Sequence, residues 1–193
     1  MEWAVPTQHF EASKVRISDI IKSHKPMAAL SYVDGDIIFP SLSILLPHLT
    51  VKSYDTETGK LALSLNGNAS LSSKLTALQT LMLQTTYSKY RTWFAGEKER
   101  TFEELTNMFQ PLISHGSLHL YCPLNTSAPY NDINVFSGGK WSSNISASSM
   151  FTPGKQVRIA VRFQGISFHQ HPVSRVWTGK SRVQHRILAI YTD

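Results

Sequence analysis

The sequence predicts a mainly β fold with helices, of the α+β class, and three observations lead to this prediction. Short apolar runs broken by turn signals extend from Val15 to Leu65, which is typical of strands joined in hairpins. An apolar stripe with helical spacing follows, from about Ser70 to Phe94. Two long segments, starting at Gln156 and at Val173, then alternate polar and apolar residues. We expect these elements to form one domain, residues 1–193.

The N-terminal part carries two hairpin signals. Asp34-Gly35 lies between apolar flanks and predicts a tight turn. The run from Leu49 to Tyr54 and the run that begins at Lys60 are separated by a short polar segment that ends in Gly59, which predicts the second hairpin.

Two helices are predicted in the middle of the chain. The first carries an apolar stripe with a residue at every third or fourth position, formed by Leu71, Leu75, Leu78, Met82 and Thr85. Gly96 is its stop signal. Thr101 and Glu104 fit a capping box, which predicts a short second helix that ends near Pro111. The alternation from Ser117 to Cys122 predicts a further strand.

Residues 123–154 are rich in Ser, Asn, Gly and Pro and are predicted to form a long irregular connection. Strands, then one substantial helix, then two long strands is the order of an OB-fold, whose helix lies between the third and fourth strands. We therefore expect an OB-fold-like barrel with a long helix at that place and a short second helix.

Charge is distributed unevenly along the chain. Residues 1–132 hold eleven Lys or Arg and twelve Asp or Glu, a net charge of −1. Residues 133–192 hold eight Lys or Arg and no carboxylate, a net charge of +8. Because this region has no acids to neutralise its own cations, it is predicted to attract a polyanion, and nucleic acid is the first candidate.

The two C-terminal strands are predicted to present a basic face. Side chains two positions apart in a strand share a face, so Arg158 and Arg162 project together, as do Arg182, Gln184 and Arg186. If the two strands pair, like charges oppose each other across the sheet, which is destabilising unless an anion compensates. A phosphate backbone would supply that anion.

Aromatic side chains and further cations lie close to these arginines in sequence. Cations can contact phosphates while flat rings stack on bases, which is what binding of a single strand requires. The additional candidate binding residues are Lys89, Arg91, Trp141, Phe168, His169, Arg175, Trp177 and Lys180. For Phe168 and Trp177 the alternative is that their rings pack in the core or within the hairpin.

The C-terminal block also resembles a known family. Gly165-Ile-Ser-Phe, followed by Trp177-Thr-Gly-Lys-Ser-Arg-Val-Gln-His-Arg-Ile-Leu-Ala-Ile-Tyr191, is similar to the core signature of single-stranded DNA-binding proteins of nucleocytoplasmic large DNA viruses. The resemblance covers about one seventh of the chain. It implies an OB-fold core that protects viral single strands during replication, recombination or repair, without a catalytic centre.

The resemblance has further implications. It places Trp177, Lys180, Arg182, His185 and Arg186 against DNA, whereas strand alternation places His185 on the core side. It also implies single-stranded DNA as the partner, together with replication proteins and self-association. The location that it implies is the host cytoplasm at viral replication sites, with the host nucleus as the alternative.

Catalytic, cofactor and membrane functions have little support in the sequence. His169 and His171 have no Cys or carboxylate near them in sequence, so no metal site is predicted. Gly179-Lys180-Ser181 lacks the upstream glycine of a P-loop, and no cofactor is predicted. No apolar run is long enough to span a membrane, and the N-terminus has no secretory signal, so we expect a soluble, intracellular protein that is not an enzyme.

Two alternatives to single-stranded DNA binding remain open. An RNA-binding module would have the same composition and would differ in how it handles the 2′-hydroxyl. A structural or scaffold β-barrel could use the same basic face against an acidic partner.

Overall fold

The computed structural model describes residues 3–123, 133–142 and 147–192. Its strands are β1 (Val5–Pro6), β2 (Val15–Ile21), β3 (Met27–Asp34), β4 (Ile37–Phe39), β5 (Leu42–Leu45), β6 (Leu49–Tyr54), β7 (Lys60–Ser64), β8 (Phe109–Gln110), β9 (Ile113–Ser114), β10 (Ser117–Tyr121), β11 (Asn134–Ser137), β12 (Lys140–Ser142), β13 (Gln156–Gln170) and β14 (Trp177–Thr192). Its helices are α1 (Ala69–Trp93), α2 (Phe102–Met108) and α3 (Ala147–Met150), with a 3-10 turn at Ala12–Lys14. Strands make up 47% of the structure, which confirms the mainly β class with helices.

Both predicted hairpins are present. β3 and β4 pair antiparallel as far as Asp34 and Ile37, so Gly35 and Asp36 form a two-residue turn. Gly35 has a φ of 60°, the left-handed value that this kind of turn requires. β6 and β7 pair in the second hairpin, in which Gly59 has a φ of 73°.

The long helix α1 differs from its predicted bounds by one residue at each end. The apolar stripe is buried from Leu71 through Met82, as the periodicity predicts. Towards its C-terminal end the buried position is Thr86 rather than Thr85. The stripe continues to Trp93, so the whole length of α1 contributes to the core.

The short helix α2 begins with the predicted capping box. The hydroxyl of Thr101 accepts a hydrogen bond from the backbone N–H of Glu104 at 3.1 Å. The carboxylate of Glu104 accepts one from the backbone N–H of Thr101 at 2.7 Å. α2 ends at Met108, before Pro111, because the next two residues form β8 and pair in parallel with β14.

The two long C-terminal strands organise the sheet. β13 and β14, of 15 and 16 residues, pair antiparallel along most of their length. The other edge of β13 pairs in turn with β6, β5 and β3. A side chain at Gly165 would collide with the carbonyl oxygen of Ala28 in β3, so glycine permits the close approach of that strand. β13 is therefore the strand through which the N-terminal strands join the rest of the sheet.

The described strands form an open sheet with the main order β12-β11-β14-β13-β6-β7-β10-β9. The predicted placement of the long helix between the third and fourth strands is not confirmed, since α1 follows the seventh strand of the chain. α1 covers the face of the sheet that carries Phe168, whose ring centroid lies 5.6 Å from that of Trp93. The opposite face of β13 and β14 is therefore not covered by α1.

The segment predicted as an irregular connection contains a hairpin and the short helix α3, so that prediction is wrong for residues 134–142 and 147–150. β11 and β12 pair antiparallel around Gly138 and Gly139, and both glycines have positive φ values. β11 also pairs in parallel with the end of β14 and so extends the sheet. Residues 124–132 and 143–146 of the same connection lie outside the described residues.

Candidate nucleic-acid interface

Arg162 of β13 and Arg186 of β14 are direct cross-strand partners. Directly opposed side chains project from the same face of a sheet. Phe163 and His185, the next pair, face each other on the other side, with ring centroids 6.5 Å apart. His185, which the resemblance places against DNA, therefore lies on the side away from the two arginines, as alternation predicts.

Further polar side chains continue this face along the two strands. Arg182 and Gln184 precede Arg186 at two-residue spacing on β14, and Arg158 precedes Arg162 at a spacing of four on β13. Gln164 is the extra residue of a bulge, so the register between the strands shifts by one residue beyond it. We call the surface formed by Arg158, Arg162, Arg182, Gln184 and Arg186 the arginine face.

The facing arginines influence each other electrostatically. Burial and the charge of Arg186 lower the pKa of Arg162 below its ordinary value. Both effects disfavour the charged form, and an anion bound between the two guanidinium groups would oppose both.

Cations at one end of the arginine face are open to solvent. Arg175, Lys180 and Arg182 are exposed. Arg158 instead donates from Nε to the carbonyl oxygen of Leu46 at 3.1 Å. Five ion pairs join side chains that the structure describes, and all five lie between residues 11 and 104. In those pairs the acids of the N-terminal part are matched with cations of the same part, as the charge distribution predicts.

The prediction that Phe168 and Trp177 stack on bases is wrong. Their exposed fractions are 4% and 1%, so neither ring can reach a ligand on the surface. Trp177 stacks on Phe94 with ring centroids 4.4 Å apart, and its Nε1 donates to the carbonyl oxygen of Lys180 at 2.9 Å. Both rings project toward α1 because alternation places them on the face opposite Arg182. They stabilise the core.

Lys89 and Arg91, which the sequence predicts to bind nucleic acid, lie outside the arginine face. Lys89 forms an ion pair with Asp19 at 2.8 Å, and Arg91 lies 3.6 Å from a carboxylate oxygen of Glu99. Both belong to α1, which covers the other side of the sheet. Their charges are compensated locally.

The remaining predicted residues lie toward the end of the arginine face where β13 turns into β14. His169 is exposed, and its Nδ1 lies 3.1 Å from the hydroxyl oxygen of Thr178. Arg175 is exposed in the connection between the strands, where its φ of 59° is an uncommon left-handed value for a residue other than glycine. Lys180 lies two residues before Arg182 on β14. These side chains extend the basic surface.

Trp141 lies in a row of rings that the sequence prediction missed. Cross-strand pairing aligns Trp141 of β12 with Phe136 of β11, Phe136 with Tyr191 of β14, and Tyr191 with Arg158 of β13. The Trp141 centroid lies 5.2 Å from that of Phe136 and 5.6 Å from that of Tyr191. Trp141 is 51% exposed. The Gly138-Gly139 turn signal between short apolar flanks could have predicted this hairpin.

We call Trp141, Phe136 and Tyr191 the aromatic row. Direct cross-strand partners share a face, so the aromatic row and Arg158 belong to the same side of the sheet as Arg162 and Arg186. Rings that can stack on bases and guanidinium groups that can contact phosphates therefore lie on one surface.

Other kinds of chemistry find little support in the described part of the chain. No group of three or more His, Cys, Asp or Glu side chains there could hold a metal ion. Burial raises the pKa of the Cys122 thiol to about 12, which keeps it protonated and a poor nucleophile. None of the helices among the described residues has the length and hydrophobicity that crossing a bilayer requires.

Comparison with family models, with curated proteins and with solved structures gives no match for this chain.

Proposed function

We propose that this chain binds single-stranded DNA without sequence specificity and protects it during viral DNA replication, recombination or repair. In this proposal the chain is an OB-fold-like protein of the kind that its C-terminal block resembles. Phosphates contact the arginine face and the exposed cations beside it, and bases stack on the aromatic row. No catalytic step is part of the proposal.

The observation that carries the proposal is the direct opposition of Arg162 and Arg186 on a face that also presents Arg182. Like charges placed opposite each other destabilise a sheet, and a bound phosphate would offset part of that repulsion. A chain of phosphates fits this arrangement because several cations follow one another along the same two strands. The absence of any carboxylate in residues 133–192 supports the same conclusion.

The aromatic row favours a single strand over a duplex. Bases in a duplex stack on each other and expose only their edges, whereas an unpaired base offers a flat face to a ring. Trp141 is half exposed next to Phe136, and the row leads to Arg158 across the sheet. A DNA strand that extends from the arginines to these rings can bind through its phosphates and its bases at the same time.

The experiment that tests the proposal is a binding titration of the wild-type chain. Fluorescence anisotropy would compare a labelled thymidine oligomer with a duplex of the same length and with a uridine oligomer, each at low and at higher salt. We expect the tightest binding to the thymidine oligomer and a steep loss of affinity as salt increases.

Three outcomes would contradict the proposal in different ways. Tighter binding to the uridine oligomer would identify an RNA-binding module. Equal or tighter binding to the duplex would contradict the proposal that the aromatic row stacks on unpaired bases. Absence of binding to all three, by a protein shown to be folded, would favour a scaffold function that uses the basic face against an acidic protein.

A further inference from the structure

A groove of about 900 Å³ separates β10 from β14. The two strands are not paired along it, although β10 pairs with β7 and β14 pairs with β13 on their other sides. The volume lies in the range of pockets that hold small ligands. The groove adjoins the arginine face and was not predicted from the sequence.

The wall formed by β7 and β10 presents a ring beside a cation. Tyr121 and Lys60 are direct cross-strand partners, so their side chains leave the sheet together. Tyr121 is 51% exposed, and Lys60 is exposed as well. His119 lies two residues before Tyr121 on the same face and is also exposed. This wall offers a flat surface for stacking and a positive charge next to it.

The wall formed by β14 connects the groove to the arginine face. Arg182 and Gln184 line the groove and also belong to the arginine face. A DNA strand that is bound by Arg186 and Arg182 therefore reaches the groove within two residues along β14. The amide of Gln184 can both donate and accept hydrogen bonds, which suits the edge of a base.

His185 connects the two walls. Its Nε2 accepts a hydrogen bond from the backbone N–H of Tyr121 at 2.7 Å, although the residues belong to strands that are not paired there. Nε2 must be unprotonated to accept this bond, and burial lowers the pKa of His185, which favours the neutral ring. The contact holds Tyr121 beside the groove in the absence of a ladder between the strands.

Asp55 is the carboxylate of the groove lining. Its oxygens accept hydrogen bonds from the Thr58 hydroxyl at 2.6 Å and from the backbone N–H groups of Glu57 and Thr58 at 2.9 and 3.2 Å. The carboxylate is therefore engaged in its own turn. The positive charges of Lys60 and Arg182 outnumber the negative charge of Asp55, so these residues of the lining give the groove a net positive charge.

We propose that the groove is a binding site for one nucleotide of a single strand, with the base stacked on Tyr121 and the flanking phosphates at Lys60 and Arg182. The inference rests on the proposed function, since it assigns a second binding position to the DNA strand that is bound on the arginine face. It adds a prediction that the basic face alone does not make. Removing the ring of Tyr121 should weaken binding although Tyr121 is not part of that face.

The test combines photocrosslinking with a set of variants at one position. A thymidine oligomer that carries 5-iododeoxyuridine would be irradiated with the full chain, and the modified peptide would be mapped by mass spectrometry. We expect an adduct on Tyr121. Tyr121→Leu should bind the unmodified oligomer about fivefold or more weakly, because base stacking is lost, whereas Tyr121→Phe should bind like the wild type.

Tyr87→Leu is the matched control, because Tyr87 is 43% exposed on α1, which covers the other side of the sheet. It should bind like the wild type. If the wild type binds the oligomer but the adducts map outside the groove, or if Tyr121→Leu binds with unchanged affinity, the groove assignment is wrong and the proposed function stands. If the wild type does not bind the oligomer, both proposals fail together.

Discussion

Substitution of Lys180 and Arg182 by alanine tests the proposed phosphate contacts most directly. Both side chains are exposed on β14, two residues apart, so their removal creates no cavity and leaves the sheet pairing intact. Each phosphate contact to a single strand contributes about 0.7 to the slope of log affinity against log salt. The double variant should therefore have a slope smaller by about 1.4.

That difference is large enough to measure. Between about 50 and 200 mM salt, a slope difference of about 1.4 makes the wild type lose about sevenfold more affinity than the variant. Anisotropy titrations with a thymidine oligomer at several salt concentrations would determine both slopes. Arg91→Ala is the control, since this exposed arginine of α1 lies near Glu99 and away from the arginine face. An unchanged slope in a folded double variant would refute the assignment of the phosphate contacts.

Three further predictions concern single residues. Trp177→Ala should lower the free energy of unfolding by about 3–5 kcal/mol in chemical denaturation, because a fully buried ring is removed from the core. Trp141→Ala should weaken binding of a thymidine oligomer about fivefold or more without changing the salt slope, because stacking is not ionic. His185→Gln should reduce the pH dependence of stability. The pKa of His185 is lowered by burial, so the unfolded state takes up the proton first, and the wild type loses stability below about pH 6.5, by at most about 1.4 kcal/mol per pH unit.

Each of these predictions has a contradicting result. A Trp177→Ala variant of unchanged stability would show that the ring is not in the core. A Trp141→Ala variant with a changed slope and unchanged affinity at low salt would contradict a stacking role. If the difference in unfolding free energy between the wild type and His185→Gln stayed constant from neutral to mildly acidic pH, folding would not lower the pKa of His185.

Local elements could be predicted where a short stretch of sequence carries the whole signal. Asp34-Gly35 predicted a hairpin because left-handed φ values belong to glycine. The 3.6-residue period predicted α1 to within one residue at each end. The Thr101 and Glu104 pair predicted the start of α2, because both capping partners lie within one turn of helix.

The candidate site was predicted only in part. Alternation placed Arg162 and Arg186 on exposed faces of their strands, and this property follows from backbone geometry alone. Alternation does not tell which face a helix will cover, so Trp177 was expected on the surface and lies in the core. Trp141 was identified as a candidate, but its alignment with Tyr191 depends on the pairing of β11 with β14, more than 40 residues apart in the chain.

The sequence by itself determined the two N-terminal hairpins, α1, the start of α2 and the accumulation of positive charge after residue 132, because turn chemistry, periodicity and composition are properties of neighbouring residues. Only the tertiary structure decided that Arg162 faces Arg186, that three rings align beside Arg158, and that a groove remains between β10 and β14. These features depend on register and on contacts between distant segments. Several registers are compatible with the same alternating pattern, and packing of the whole chain selects one of them.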